Sequence, residues 1–298
     1  MESTRDIKGR IKSVTNIQQI TKAMKMVAAA RLRKAEEKAK AKGSLPYAEK
    51  IGELMRRASS ATPDFDSPLL DVRESKKVGY LVICGDKGLA GAYNSNVMKR
   101  TIQEISGKDP STYKLFVCGK QAKKYLNFRG YKTDSYHFGF SDKPQAYNSI
   151  ELSEQMIQQF SDEEVDEVYI IYTKFYTALR QKVMVSRLLP IEVPKDHEAA
   201  APENIEMEEV QEEEPYIFLP NASEVLSKLL PQYIQVQVYN AMLQSAASEL
   251  GSRMAAMSAA TDNAAEKISE LNLTYNKARQ AQVTNEISEI VGGAAALE

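Results

Sequence analysis

The chain has no tryptophan, and its 298 residues include only two histidines and two cysteines. Cys84 and Cys118 each end an apolar, strand-like run, YLVIC and KLFVC. Two buried free thiols in such runs fit a reducing compartment; a disulfide between adjacent strands is the other reading. His137 and His197 have no cysteine at metal-ligand spacing, so no zinc site is expected. No apolar run approaches the ~20 residues that span a bilayer. The first residues, MESTRDIKGRIKSV, carry charges where the apolar core of a secretion signal would stand. Work at a membrane is therefore expected from outside the lipid. There is no Ser/His/Asp elbow, no set of paired metal ligands and no isolated reactive cysteine, so neither a catalytic residue nor a cofactor is expected.

Net charge is -1, but the signs are unevenly spread. Three zones separate by pattern. In residues 1–61, Ile7, Ile11, Val14, Ile17, Met24, Val27, Leu32 and Ala35 recur in steps that define a helical stripe. Gly43 and Pro46 mark a bend or a local interruption.

Residues 76–194 alternate strand and helix signals. Val78–Cys84, Tyr113–Cys118, Thr133–Phe138, Glu167–Thr173 and Gln181–Leu189 read as strands. Asn94–Ile105, Lys120–Phe128 and Glu151–Phe160 read as helices. Such alternation implies a mostly parallel, Rossmann-like sheet covered on its faces, with the last two strands as an antiparallel pair. Residues 195–220 form an acidic linker: Asp196–Glu214 holds eight glutamates and no lysine or arginine. Tyr216–Leu219 within it is a possible edge strand.

Residues 221–298 are helical. Pro231 either starts a new segment or kinks an existing one. From Gln232 to Val291 there is one glycine, Gly251, and no proline. Such a helix is roughly 90 Å long and needs a long partner. The N-terminal helix is the one long partner in the chain, so the expected fold class is α/β with long helices: an antiparallel coiled coil of the two terminal helices plus a central Rossmann-like domain. The C-terminal seam is read from its small residues: Ala241, Ser245, Ala246, Ala255, Ala256, Ala259, Ala260, Ala264 and Ala265. The last turns, through Ile290 and Val291 to Leu297, outrun the partner helix and suggest a socket in another protein.

Residues 1–42 carry twelve Lys or Arg against four Asp or Glu. The excess is either a solvated helix face or a match for an acidic partner surface. Few aromatics interleave with it and no nucleic-acid-binding motif is present, so nucleic acid is not the expected partner. The loop Gly85-Asp86-Lys87-Gly88-Leu89-Ala90-Gly91 stands where phosphate loops stand in α/β folds, but matches neither G-x-G-x-x-G nor the P-loop spacing. It is read as a tight structural turn in which glycine supplies positive φ, with Gly85, Gly88 and Gly91 as its structural residues.

Three segments carry a resemblance to a known family. Ile11–Ala35 (IKSVTNIQQITKAMKMVAAARLRKA) resembles the first helix of ATP synthase gamma subunits. Gly85–Asn94 (GDKGLAGAYN) is similar to their signature loop. Ser248–Leu297 is similar to their C-terminal helix over about fifty residues. With the order helix, α/β domain, helix, the resemblance covers essentially the whole chain.

The resemblance implies a central-stalk rotor that couples proton or sodium flow through a c-subunit ring to ATP synthesis or hydrolysis in an alpha–beta ring. It implies alpha, beta, epsilon and c-ring subunits as partners, no chemistry on this chain, and a peripheral place on the cytoplasmic side of a bacterial cell membrane, with membrane contact only through partner subunits. Carried over by position, Met24 and Arg253 lie where the shaft meets an acidic loop of beta and are expected to face each other. Arg279, Gln280, Thr284 and Glu289 match the upper shaft, where it meets the ring. The closely spaced cysteine pair of chloroplast members is missing. The competing readings are a non-rotary coiled-coil tether and an α/β nucleotide-binding enzyme with helical arms.

Overall fold

A computed structural model describes residues 3–39, 44–62, 65–192, 216 and 218–295. The acidic stretch Asp196–Glu214 lies outside the described residues. The chain divides into two compact units: Met1–Ala30 with Arg253–Glu298, and Arg31–Ser252.

The larger unit is built on five strands: β1 (Val78–Ile83), β2 (Tyr113–Cys118), β3 (Ser135–His137), β4 (Glu167–Phe175) and β5 (Gln181–Leu189). Their order is β3-β2-β1-β4-β5. The first three pairings are parallel and β4–β5 is antiparallel, as the strand–helix alternation predicts. Side chains alternate across each strand. Tyr80, Val82 and Cys84 point to one face, where α3 (Tyr93–Ile105) and α4 (Lys120–Phe128) cover them with Val97, Met98, Ile105, Ala122 and Leu126. Leu81 and Ile83 point to the other. There α2 (Ser44–Ala61), α5 (Ala146–Ser161) and the first turns of α6 (Ala222–Ala295) contribute Met55, Leu152, Met156, Phe160, Leu226, Leu230 and Ile234. Burial on both faces explains why β1 and β2 are nearly continuous apolar runs.

Pro231 neither starts nor ends a helix. It lies inside α6, which begins nine residues earlier. The carbonyl that its missing N–H leaves over belongs to Ser227, an exposed residue that water can reach. Tyr216, Phe218 and Leu219 carry no strand, so the possible edge strand is not formed among the described residues. Tyr216 instead stacks on Phe218 and lies under the Arg57 guanidinium, 4.3 Å from the ring centre.

Of the small residues expected to meet the N-terminal helix, Ala241 packs in the core beneath the sheet and Ser245 bonds a strand. Pairing of β1 with β4 stops at Val82–Ile171, so β4 runs on past its neighbour. The backbone groups left over are taken by α6: Thr173 N donates to Ser245 Oγ at 3.3 Å, Phe175 N to Gln244 Oε1 at 3.0 Å, and Ser248 Oγ donates to the Thr173 carbonyl at 3.1 Å. Short side chains are needed because the helix must approach within hydrogen-bond reach of a strand backbone. Gly251 continues this contact. A Cβ there would stand 3.3 Å from the Cα of Ala178 in the β4–β5 turn.

In the smaller unit, α1 (Thr4–Ala39) and α6 pack as antiparallel partners. Thr4 bonds Gln282, Thr21 bonds Thr261 and Lys25 bonds Ser258. Ile7, Thr21 and Ala28 are buried on α1 with Val14 half-buried between them; Met257, Ala264 and Leu271 are buried on α6. Both sets step by seven residues, the spacing of a coiled-coil seam. The stripe expected on α1 therefore needs correction. Ile17 and Val27 are each 53% exposed, while Gln18 and Thr21 occupy the inward side. Of the small α6 residues assigned to this seam, Ala264 is buried, whereas Ala259 and Ala265 are exposed.

Candidate functional site

Two regions hold the residues singled out by sequence: the loop after β1 and the helix pair. The loop is held by one carboxylate. Asp86 Oδ1 accepts the backbone N–H of Lys120 at 3.0 Å, at the start of α4. Its Oδ2 accepts Gly139 N at 2.8 Å and Ser141 N at 3.3 Å, in the connection between β3 and α5. Asp86 N donates in return to Ser141 Oγ at 3.0 Å. The ends of three parallel strands are thus fastened around one side chain. Asn94, in the first turn of α3, accepts from Gly85 N at 3.0 Å and donates to the Lys87 carbonyl at 3.1 Å.

The glycines divide by role. A Cβ on Gly85 would stand 2.8 Å from Asn94 Oδ1 and 3.1 Å from the Glu249 carboxyl carbon, so this glycine permits close approach of α6. Gly91 has φ of 54° and Gly119, at the end of β2, has φ of 111°. A side chain on Gly119 would also collide with the Cys84 carbonyl oxygen. Gly88 has open space around it, and the positive φ in its part of the loop belongs to Leu89, at 60°.

Beside this cradle, Asp142 receives two cations. Lys87 Nζ lies 2.8 Å and Arg31 Nη1 2.7 Å from Asp142 Oδ2. Burial pushes the Asp142 carboxyl up, but the Lys87 hydrogen bond and the two positive charges outweigh it and hold the group below the ordinary aspartate range. Arg31, Lys87 and Asp142 all belong to the larger unit, so this bridge lies within it. Sequence reasoning missed both aspartates as a cluster, because their partners lie tens of residues away along the chain.

Cys84 and Cys118 are free and buried. Burial pushes the Cys84 thiol up to about 12, with Glu249 and Asp86 adding to the shift and backbone hydrogen bonds opposing it. Cys118 is raised for the same first reason. Neither is a nucleophile at neutral pH. Among the described residues no group of three His, Cys, Asp or Glu side chains is placed to hold a metal ion.

On the helix pair, Met24 is half-buried and Arg253 is 8% exposed. They are not level with each other. Lys25 meets Ser258 and Thr21 meets Thr261, so Met24 lies at the level of about residue 259. Six residues of helix separate that level from Arg253, about 9 Å along the axis. Arg279, Gln280, Thr284 and Glu289 are exposed on α6. Arg279 and Gln280 lie just before Gln282, the partner of Thr4. Thr284 and Glu289 lie past it, where α6 continues to Ala295. Val283, Ile287, Ile290 and Val291 recur there on one side of the helix and are 47–72% exposed. No helix among the described residues is long and apolar enough to cross a membrane.

Comparison with known proteins gives a consistent result. A family model described as ATP synthase matches residues 3–297. The chain is 42% identical to the ATP synthase gamma chain of Heliobacterium modesticaldum over 297 residues, covering 100% of both chains. It is 42% identical to that of Desulfitobacterium hafniense over 298 residues, again covering 100% of both. Among solved structures it is similar to a chain of the Euglena gracilis mitochondrial ATP synthase, with a TM-score of 0.65, 19% identity, and coverage of 99% of this chain and 94% of that one. A chain of the Tetrahymena thermophila mitochondrial ATP synthase central stalk and c-ring gives a TM-score of 0.59 at 23% identity, covering 81% and 99%. At these identities the solved structures share the fold.

Proposed function

We infer, because the chain belongs to the ATP synthase gamma-chain family, that it is the central-stalk rotor of an F-type ATP synthase. The observation that carries the reading is the helix pair: a long antiparallel coil whose C-terminal helix runs past Thr4 and exposes Val283, Ile287, Ile290 and Val291 along one side. Exposed apolar surface of that kind marks a contact with another protein. The partners are the alpha–beta ring around the coil, and epsilon and the c-ring at the α/β domain. Ion flow turns the c-ring, the coil turns with it, and the nucleotide sites of the ring change affinity in sequence.

The chain itself is non-catalytic in this reading. Its thiols are buried and inert, and the loop after β1 is filled by Asp86. Met24 and Arg253 serve contacts with an acidic loop of beta. Arg279, Gln280, Thr284 and Glu289 serve the upper contacts with the ring. Such contacts must break and re-form at each step, which suits the exposed polar groups Arg279, Gln280, Thr284 and Glu289, worth ~0–1 kcal/mol each. The place of work is the cytoplasmic face of a cell membrane, reached through partner subunits.

The test is capture of the tagged full-length chain from solubilised membranes, with partner identity and ATPase activity read on the eluate. Recovery of ATPase alpha and beta chains with azide-sensitive hydrolysis is the expected result. An inactive monomer or homodimer overturns the rotor reading and leaves a coiled-coil tether.

A further inference from the structure

At the end of the sheet opposite the Asp86 loop, β1 and β2 begin and α3 and α4 end, around a depression of about 820 Å³. That is room for a small molecule of several linked groups. Five cations line it: Lys77, Lys108, Lys114, Arg129 and Lys132. The one carboxylate in the lining, Asp134, is turned to a strand, where its Oδ2 accepts the backbone N–H of Leu115 at 2.9 Å. Two more carboxylates stand nearby, and each has partners. Glu164 takes Lys114 at 2.8 Å and Lys77 at 3.9 Å. Asp109 accepts from Ser111 N at 2.8 Å and from Ser111 Oγ at 2.6 Å. Among the described residues, Lys108, Arg129 and Lys132 have no carboxylate within 4.0 Å. Tyr113 and Tyr131 form part of the wall. Burial raises the Tyr113 hydroxyl above the ordinary tyrosine range, so it is a donor at neutral pH.

The ordinary alternative is that cations gather here because two helices end here, and positive charge offsets the negative end of a helix dipole. Both ends are already closed by the backbone. At α3, Lys108 N bonds the Ile105 carbonyl at 3.1 Å, with Gly107 at φ of 77°. At α4, Gly130 N bonds the Asn127 carbonyl at 3.1 Å and Tyr131 N the Leu126 carbonyl at 3.0 Å, with Gly130 at φ of 80°. Lys77 and Lys114 stand at the starts of β1 and β2, and Lys132 follows the turn, so none of the three closes a helix. We propose that this depression binds a polyphosphate-bearing small molecule, its linked phosphates held by Lys108, Arg129, Lys132 and the Tyr113 hydroxyl. The depression is many times the volume of one phosphate, and its cations come from four segments of chain. A run of linked phosphates therefore meets more of them than a single phosphate does. The depression lies within the larger unit, so the inference does not depend on the rotor reading.

The experiment is calorimetric titration of the full chain with sodium tripolyphosphate at low and high sodium chloride, with orthophosphate as the comparison. The parent chain is expected to bind one tripolyphosphate saturably, about tenfold or more tighter than orthophosphate, and more weakly as salt rises. Arg129→Gln with Lys132→Gln is expected to weaken that binding about tenfold or more. Lys174→Gln with Lys182→Gln removes the same charge from a pair on β4 and β5 and is expected to change it by less than about twofold. All four side chains are exposed, and matched thermal midpoints show that both variants keep the fold. In the parent chain, tripolyphosphate is expected to shift the amides of Gly107, Gly130 and Tyr131. No saturable heat from the parent, equal weakening by the two pairs, or amide shifts confined to other residues overturns the proposal.

Discussion

The hydroxyl oxygens of Thr21 and Thr261 stand 2.8 Å apart in the seam between α1 and α6. Thr21 is 8% exposed, and its hydroxyl also donates to the Gln18 carbonyl at 3.0 Å. A bonded polar pair within the seam sets which turn of one helix meets which turn of the other. Cysteines at 21 and 261 are therefore expected to oxidise to a bridge within one chain. Cysteines at 24 and 253, about 9 Å out of register along the axis, are expected to stay reduced. Mobility on a non-reducing gel separates the two outcomes, and a bridge at 24–253 in preference to 21–261 would show the register to be wrong.

Gly119 and Gly88 make a matched pair of backbone tests. Gly119→Ala forces a side chain into the Cys84 carbonyl at φ of 111°. A loss of about 2–4 kcal/mol is expected in denaturant unfolding, from positive-φ strain and the displaced strand end. Gly88→Ala, with nothing within 4 Å of the new atom, is expected within about 0.5 kcal/mol of the parent. Equal midpoints for the two variants would contradict the geometry.

Both thiols should resist alkylation in the native chain and react fully once it is unfolded. Their linkage to pH follows from the sign of the shift. Burial raises Cys84 from 9.0 to about 12. Below pH 9 the thiol is protonated in both states and the full stability is present. Above pH 9 the unfolded chain releases a proton that the folded chain keeps, so stability falls as pH rises toward 12. Cys84→Ser should flatten part of that fall; an unchanged alkaline slope would remove the thiol as its source.

The bridge at Asp142 has the opposite dependence. Burial raises the carboxyl, Lys87 and Arg31 lower it by more, and the net shift is downward from 3.8. Its contribution is present above the unfolded value and is lost as pH falls through the folded one, below about pH 4. A double-mutant cycle of Asp142→Asn with Lys87→Gln should return a coupling of about 0.5–1 kcal/mol at neutral pH that shrinks as the carboxyl is protonated in acid. A coupling of the same size in acid would rule out an ionic origin.

The sheet was legible because its central strands β1 and β2 are buried on both faces and the strands alternate with helices. Tyr113–Cys118, Lys120–Phe128 and Gln181–Leu189 fall where the apolar runs place them. The α1 seam was less legible. A stripe drawn by hydrophobicity takes in Ile17 and Val27, yet the seam takes Gln18 and Thr21, because a seven-residue repeat and a partner hydroxyl outweigh apolar character there. Ala241 and Ser245 show a different limit. Small side chains announce that some backbone comes close, and say nothing of whether it is a helix or a strand. The Asp86 cradle was invisible for a plainer reason: its donors are backbone groups far along the chain, and no residue type marks them. The coupling positions were read from resemblance, and the register corrected only the level of Met24 against Arg253.

The seven-residue spacing shared by Ile7, Val14, Thr21 and Ala28 and by Met257, Ala264 and Leu271 gives the helix pair a left-handed lay. A two-ply cord does not resist twisting equally in both senses. Turning it with its lay draws the plies together onto the side chains between them; turning it against the lay opens them. A shaft of this build is a torsion spring with two constants, stiffer when driven one way than the other. Twisting the tethered helix pair clockwise and anticlockwise in a magnetic trap would read both constants, and equal values would mean that the lay contributes nothing to the stiffness.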